Sequence, residues 1–352
     1  MADDARHALS TLRRPGTVSV ALIGAGNVAR TYHLPCVVAA GATVSYVADP
    51  DAAARRRASA IVPAAAVVRD ITDVGTEVDC AIVCSPPSEH PAHVRWLAER
   101  GIPVLCEKPL ACTEKDAETL VEIARANGVA LQVGYYRRFH PSSARVHTWL
   151  RDGTLGRPRR CTIVGGDILH PHGASASLMD PAQSGGGVLM DVGVHVVDRL
   201  LSWFDEITVR DYLDDHAGGM EANALARFEG RIRDHTVPLT MLLSRTADLG
   251  HQAAVEFDEG TVVCALNAGH VLTVIGPPQG AVAPSRTTVD TGEPRHATDY
   301  FADQWAEFVA QLRGESPRVS SLRDAVRTTA LVEACYRMRR PLTLPWEVAG
   351  LS

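Results

Sequence analysis

Lysine is nearly absent from this chain. Of its 35 basic residues only Lys108 and Lys115 are lysines, and all the others are arginines. The excess of Arg, Ala, Val and Gly fits a GC-rich coding bias. That says nothing about fold, but it makes each lysine worth inspecting. The basic residues form no strong stripe and the net charge is −6. Nucleic acid is therefore excluded as a partner, because neutralising phosphates needs clustered cations. Apart from one run near the N-terminus, no segment approaches the roughly 20 apolar residues of a membrane span. The eight cysteines include no Cys-x-x-Cys pair. They read as buried, reduced thiols of a cytoplasmic protein. Zinc-type ligand spacing is missing too, so no metal is expected. Arg13-Arg14 ahead of an apolar run imitates an export signal. The run itself carries the glycines of a nucleotide loop, and no small-residue cleavage site precedes it. Residues 1–16 are read as a polar tail.

The length of 352 residues suits two domains, and 46 % hydrophobic with 22 % charged residues is a soluble globular balance. From residue 17 to 135, short apolar runs alternate with helical patterns. Strands are expected at 18–23, 43–48, 67–68, 79–84, 102–106 and 129–133. This alternation predicts a Rossmann-type parallel sheet, doubly wound with helices on both faces. The pattern changes over 136–352. After a helix near 141–151, a strand at 157–168 and a helix up to 204 come consecutive strand-like runs from 207 to 275, then helices near 299–313 and 321–338. This is expected to be an α+β substrate and oligomerisation domain with a large, mostly antiparallel open sheet.

Gly24-Ala25-Gly26-Asn27-Val28-Ala29 has the form G-x-G-x-x-A between an apolar strand and a helix. Gly24 allows the tight turn, Gly26 lets a pyrophosphate approach the backbone, and Ala29 lets the helix pack on the strand. Anions are favoured at the helix N-terminus that follows. Asp49 ends the next strand, placed to accept hydrogen bonds from ribose hydroxyls and to repel a 2′-phosphate. NAD is thus preferred, with NADP possible. Arg55-Arg56-Arg57 either attracts such a phosphate or is a solvated helix face.

Glu107-Lys108-Pro109 follows the fifth strand, at the sheet edge where ligands bind. A lysine there can stabilise a negative charge developing on a substrate oxygen; the competing reading is an exposed loop lysine. In the second half, Gly185-Gly186-Gly187 leads into a helical segment carrying Asp191, His195 and Asp198. The first two lie four apart and share a face with the third. His195 suits a general base near neutral pH, although a lone histidine on such a helix is ordinarily core. Asp198 either joins that site or only orients something locally. Tyr135-Tyr136-Arg137-Arg138-Phe139 either lines the cleft or packs a hinge. Asp167, His170, His172 and Asp180 are either polar liners of a hydroxyl-rich pocket or ordinary loop residues.

Taken together, the Gly24 loop, Ser85-Pro86-Pro87 with His90, Glu107-Lys108-Pro109, Tyr135–Phe139, and Gly186-Gly187 through Asp191, His195 and Asp198 resemble one family. It is that of glucose-fructose oxidoreductase, inositol dehydrogenase and the rhizopine-catabolism protein. The resemblance implies an NAD(P)-dependent oxidoreductase acting on a hydroxyl carbon of a sugar or cyclitol, with Lys108, Asp191 and His195 catalytic. It implies cofactor contacts from Gly24, Gly26, Asn27, Val28 and Asp49, and from Ser85, Pro86, His90, Glu107, Lys108 and Arg138. Substrate contacts fall on Lys108, Tyr136, Asp167, Asp191 and His195. The implied assembly is a homodimer or homotetramer. Tyr136 departs from the pattern, since many relatives carry Asn there. Two alternatives remain: a non-catalytic NAD(P)-binding sensor, and a redox-neutral sugar-modifying enzyme that recycles its NAD.

Overall fold

The computed structural model describes residues 17–169, 176–216, 218–277 and 285–342. The tail expected at 1–16, and His170 and His172, lie outside the described residues. Two compact units divide the chain: residues up to 136 together with 296–329, and residues 137–295 together with those from 330 onward.

The first unit begins with β1 (Ser19–Ile23), a π-helical turn (Ala29–His33) running into α1 (Leu34–Ala39), β2 (Thr43–Ala48), α2 (Ala52–Ser59) and β3 (Ala66–Val68). It continues through β4 (Cys80–Val83), α3 (His90–Ala98), β5 (Val104–Cys106), α4 (Glu114–Ala126) and β6 (Leu131–Val133). All six strands are parallel, in the order β3-β2-β1-β4-β5-β6. Burial on both faces explains the unbroken apolar runs: every residue of β4, β5 and β6 is buried, and the strand ladder pairs their backbone polar groups. Helix α4 starts where Thr113 Oγ1 accepts the Asp116 N–H at 3.1 Å.

The second unit holds α5 (Pro141–Asp152), β7 (Pro158–Gly166), α6 (Pro181–Ser184), and a second π-helical turn (Leu189–Gly193) running into α7 (Val194–Trp203). Then come β8 (Glu206–Asp214), β9 (Asn223–Ile232), β10 (His235–Ser244), β11 (Gly250–Phe257), β12 (Gly260–Ala265), β13 (Val271–Ile275) and β14 (Arg286–Asp290). With the late strand β15 (Arg339–Pro341), the sheet has nine strands among the described residues, in the order β14-β13-β12-β11-β7-β10-β9-β8-β15. Most pairs are antiparallel, but β7 with β10 and β8 with β15 are parallel, so the sheet is mixed. Helix α7 is buried along nearly its whole length, and its Trp203 Nε1 donates to Ser143 O and Oγ of α5 at 3.1 and 3.0 Å. The edge strand β14 was not legible in the pattern, because four of its five residues are exposed and no alternation marks it.

The chain then forms α8 (Ala297–Leu312), α9 (Leu322–Arg337) and β15 (Arg339–Pro341). Helix α8 belongs to the first unit. Its Trp305, Phe308 and Leu312 enter the core with Val20, Leu22 and Leu105. A buried amide network fixes it: Gln132 Nε2 donates to Gln304 O at 3.1 Å, and Gln311 Nε2 to Gln132 Oε1 at 2.5 Å. These bonds satisfy the one polar side chain on β6, which would otherwise cost the sheet its burial there. Among the described residues, no helix is long and apolar enough to cross a membrane.

Candidate functional site

In the first unit, the residues singled out gather at the C-terminal edge of the parallel sheet. Gly24 turns the chain out of β1 at φ +89°, and a Cβ there would lie 2.5 Å from Ser85 N. Only glycine fits that position. Gly26 has no heavy atom within 4 Å of where its Cβ would stand, so its backbone is open to approach. Helical geometry begins at Asn27, and the first N–H groups of a helix lack intrahelical acceptors. Asp49 Oδ2 accepts the Ala25 N–H at 2.7 Å, and Oδ1 accepts the Asp51 N–H at 2.7 Å. The carboxylate is thereby fixed beside the loop with acceptor capacity left for ribose hydroxyls, since it has about four lone-pair sites. These residues fit a dinucleotide. Of the three arginines, Arg55 Nη1 donates to Asp49 O at 2.6 Å and to Pro50 O at 3.0 Å, while Arg56 and Arg57 are exposed on α2.

Lys108, half-buried, sits between two anchored neighbours. Glu107 is buried, and its Oε1 lies 2.8 Å from Nε2 of His33, the last residue of the first π turn. Burial pushes the Glu107 carboxyl up, but the hydrogen bond and charge of His33, together with Lys108, hold it below the ordinary carboxylate value. Gly134 leaves room for that carboxylate, since a Cβ there would stand 2.9 Å from Glu107 Oε1. On the other side, His90 is buried and its Nδ1 lies 2.7 Å from Pro109 O, with Nε2 2.9 Å from Ser85 O. His90 therefore ties the Ser85-Pro86 loop to the Lys108-Pro109 segment, whose peptide bond is cis. Ser85 Oγ bonds in turn to His93 Nδ1 at 2.9 Å. Tyr136 stacks on Phe301 of α8 at 4.6 Å, and Tyr32 stacks on the same ring at 4.7 Å.

In the second unit, Asp191 lies within the second π turn and His195 at the start of α7. Such π segments recur at functional sites, and here one stands in each candidate region. His195 is buried and Asp191 partly exposed. Asp191 Oδ2 is paired with Arg245 Nη2. Arg245 went unnoticed in the sequence, where nothing local distinguishes it from the other arginines. Glu221 was missed as well: its buried Oε1 accepts the N–H groups of Gly187 and Leu189 at 3.0 and 3.1 Å and the Tyr336 hydroxyl at 2.8 Å. A carboxylate at the helix start satisfies amides that have no intrahelical partner and complements the helix dipole. A Cβ on Gly187 would collide with Glu221 O, which explains a glycine there.

Asp198 is buried and engages Arg138, whose Nε lies 2.9 and 2.8 Å from its two oxygens. Both charges are thus matched within this unit. Asp167 is exposed, with Oδ2 2.7 Å from His251 Nε2. Asp180 caps α6, accepting the Ala182 N–H at 3.0 Å and Gln183 Nε2 at 2.7 Å. None of the eight cysteines is in a disulfide.

Two domain models of one family match the chain: an oxidoreductase family with an NAD-binding Rossmann fold over residues 18–135, and the GFO/IDH/MocA C-terminal domain over residues 143–263. The chain belongs to this family. It is 31 % identical over 180 residues to the rhizopine catabolism protein MocA of Rhizobium meliloti, covering 51 % of this chain and 55 % of that one. With inositol 2-dehydrogenase 4 of Saccharopolyspora erythraea it shares 34 % identity over 169 residues, 47 % of this chain and 49 % of the relative. The chain thus spans about half the length of these curated relatives in the matched regions. Among solved structures, the fold is shared with KijD10, a 3-ketoreductase from Actinomadura kijaniata in complex with NADP and TDP-benzene. The TM-score is 0.79 at 21 % identity, covering 94 % of this chain and 100 % of that one. It is also shared with levoglucosan dehydrogenase in complex with NADH and levoglucosan, at a TM-score of 0.78 and 16 % identity, covering 92 % and 97 %.

Proposed function

We propose that this family member is an NAD(P)-dependent dehydrogenase or ketoreductase acting on a secondary hydroxyl or ketone of a sugar or cyclitol. The observation that carries the reading is Lys108. It stands at the ligand-binding edge of the sheet, on the strand next but one to the Gly24 loop, with Glu107 and Pro109 both anchored by buried imidazoles. The backbone on either side of Lys108 is thereby fixed before a ligand arrives, which lowers the cost of aiming the side chain.

In the oxidation direction, His195 takes the hydroxyl proton and Lys108 stabilises the oxygen as it becomes negative. Asp191 accepts from a neighbouring substrate hydroxyl. A nicotinamide bound there would supply the hydride acceptor for that carbon, and in the reducing direction the hydride donor. Gly24, Gly26, Asn27 and Val28 would hold the pyrophosphate, with Asp49 on the adenosine ribose. The Asp49 carboxylate beside the loop disfavours a 2′-phosphate, so NAD is the preferred cofactor. The names of the inositol dehydrogenase and levoglucosan dehydrogenase relatives support a neutral, polyhydroxylated substrate.

The test is a screen of cyclitols and free sugars with NAD and NADP, with both reduced cofactor and oxidised product measured. One reduced cofactor per product is expected. Product formed with no net reduced cofactor would replace this reading with cofactor recycling.

A further inference from the structure

Arg245 stands one residue beyond β10, and Asp167 one residue beyond β7. These two strands are parallel and end in register, Ser244 opposite Gly166. The two side chains therefore leave the sheet side by side at one edge. Asp191 meets the Arg245 guanidinium from the π turn, and His251 of β11 meets Asp167 at 2.7 Å. Residues 167, 191, 245 and 251 are scattered in sequence, so only the fold assembles this row. Arg245 is fixed through its backbone as well, its N–H donating to Ala222 O at 2.8 Å and its carbonyl accepting the Leu169 N–H at 2.9 Å. The Arg245 and Asp191 side chains are 19 % and 24 % exposed, so both remain within reach of a ligand.

We propose that Arg245 determines substrate class: with Asp191 it forms a donor–acceptor pair that reads two neighbouring hydroxyls of an uncharged polyol. The inference rests on the reading of Asp191 as a substrate contact. Each hydroxyl offers a proton and lone pairs, and two adjacent hydroxyls offer both at a fixed spacing. The Asp191 carboxylate takes protons only, and the five N–H groups of a guanidinium give protons only. Charge favours a neutral ligand. One guanidinium faces the carboxylates of Asp191 and Asp167, and even a protonated His251 brings the row only to neutrality. A phosphate or carboxylate on the substrate would find no net positive charge in this row. The ion pair also keeps the Asp191 carboxylate aimed, so that loss of Arg245 would free it to turn.

The selectivity has a magnitude. A site built to hydrogen-bond a hydroxyl rejects an analogue lacking it by roughly 10⁴-fold or more when desolvation is complete. For this partly exposed pair, about 10²-fold is expected on the same basis. The experiment compares wild type, Arg245→Met and Arg245→Lys on myo-inositol, D-glucose, 2-deoxy-D-glucose, 3-deoxy-D-glucose and D-glucuronate, measuring kcat/KM. NADH affinity, which depends on the Gly24 loop of the other unit, serves as the control for folding. Wild type should favour a full polyol over its deoxy analogue by about 10²-fold and should not prefer glucuronate over glucose. Arg245→Met should lower the polyol-to-deoxy ratio by at least about tenfold. Arg245→Lys, which keeps the charge without the fork, should fall between the two. An Arg245→Met protein that loses activity but keeps the wild-type ratio would overturn the inference and leave the dehydrogenase reading standing. So would a preference for glucuronate in wild type. A wild type that binds NADH but oxidises none of these polyols would overturn both.

Discussion

His33 Nε2 lies 2.8 Å from Glu107 Oε1, with both side chains buried. The contact joins the helix that starts at the nucleotide loop to the residue preceding Lys108. Removing one partner of a buried pair leaves the other uncompensated, at a cost of about 3–5 kcal/mol. His33→Ala should therefore destabilise the protein by that order, and Glu107→Ala comparably. In the double variant neither group is left alone, so its loss should be clearly smaller than the sum. Urea unfolding of the four proteins checks this; simple additivity would show that the pair is not coupled.

Cofactor choice should depend on Asp49. Its carboxylate is held by the Ala25 and Asp51 N–H groups, and the arginines of α2 follow within a few residues. Wild type is expected to show a higher kcat/KM with NAD than with NADP. Asp49→Ser should reverse or erase the preference, by at least about tenfold, equivalent to one lost charge interaction of about 1.4 kcal/mol. Steady-state kinetics with both cofactors decides it. An unchanged ratio would remove Asp49 from the recognition of the ribose.

Acid stability should follow the buried histidines. Burial first, then the charges of Arg199, Arg137 and Arg295, push His140 from its ordinary 6.5 down to about 2. Burial also lowers His90 and His93. Below pH 6.5 the unfolded chain binds protons that the folded one refuses, so stability is complete above that pH and falls as the pH drops. Each such histidine contributes a slope of up to about 1.4 kcal/mol per pH unit. His140→Gln should make the decline between pH 6.5 and 5 shallower by about one proton. Urea midpoints at a series of pH values measure this; an unchanged slope would contradict it.

Much of the candidate site was legible because its signals are local. The Gly24 loop, Glu107-Lys108-Pro109 and the Asp191/His195 spacing each lie within a few residues and have one mechanical reason. Partners brought together by folding were not legible. Arg245 is 54 positions from Asp191, and Glu221 is 34 from Gly187. Phe301, which stacks between Tyr32 and Tyr136, comes from a helix far along the chain. The same limit applies to the fold. Buried strands announced themselves by apolar runs, whereas β14 and β15 hold edges with little buried face to pattern. The parallel pairing of β7 with β10 was hidden too, since consecutive strand-like runs carry no sign of which neighbour each strand takes.

The most direct test of the central claim compares Lys108→Met and His195→Ala with wild type on the best polyol substrate, with NADH affinity measured alongside. Each variant should lose about 10²-fold or more in kcat while NADH affinity stays within a few-fold, as expected when an acid–base or charge-stabilising group is removed. Turnover near the wild-type rate in both variants would contradict the assignment of Lys108 and His195 to the reacting centre.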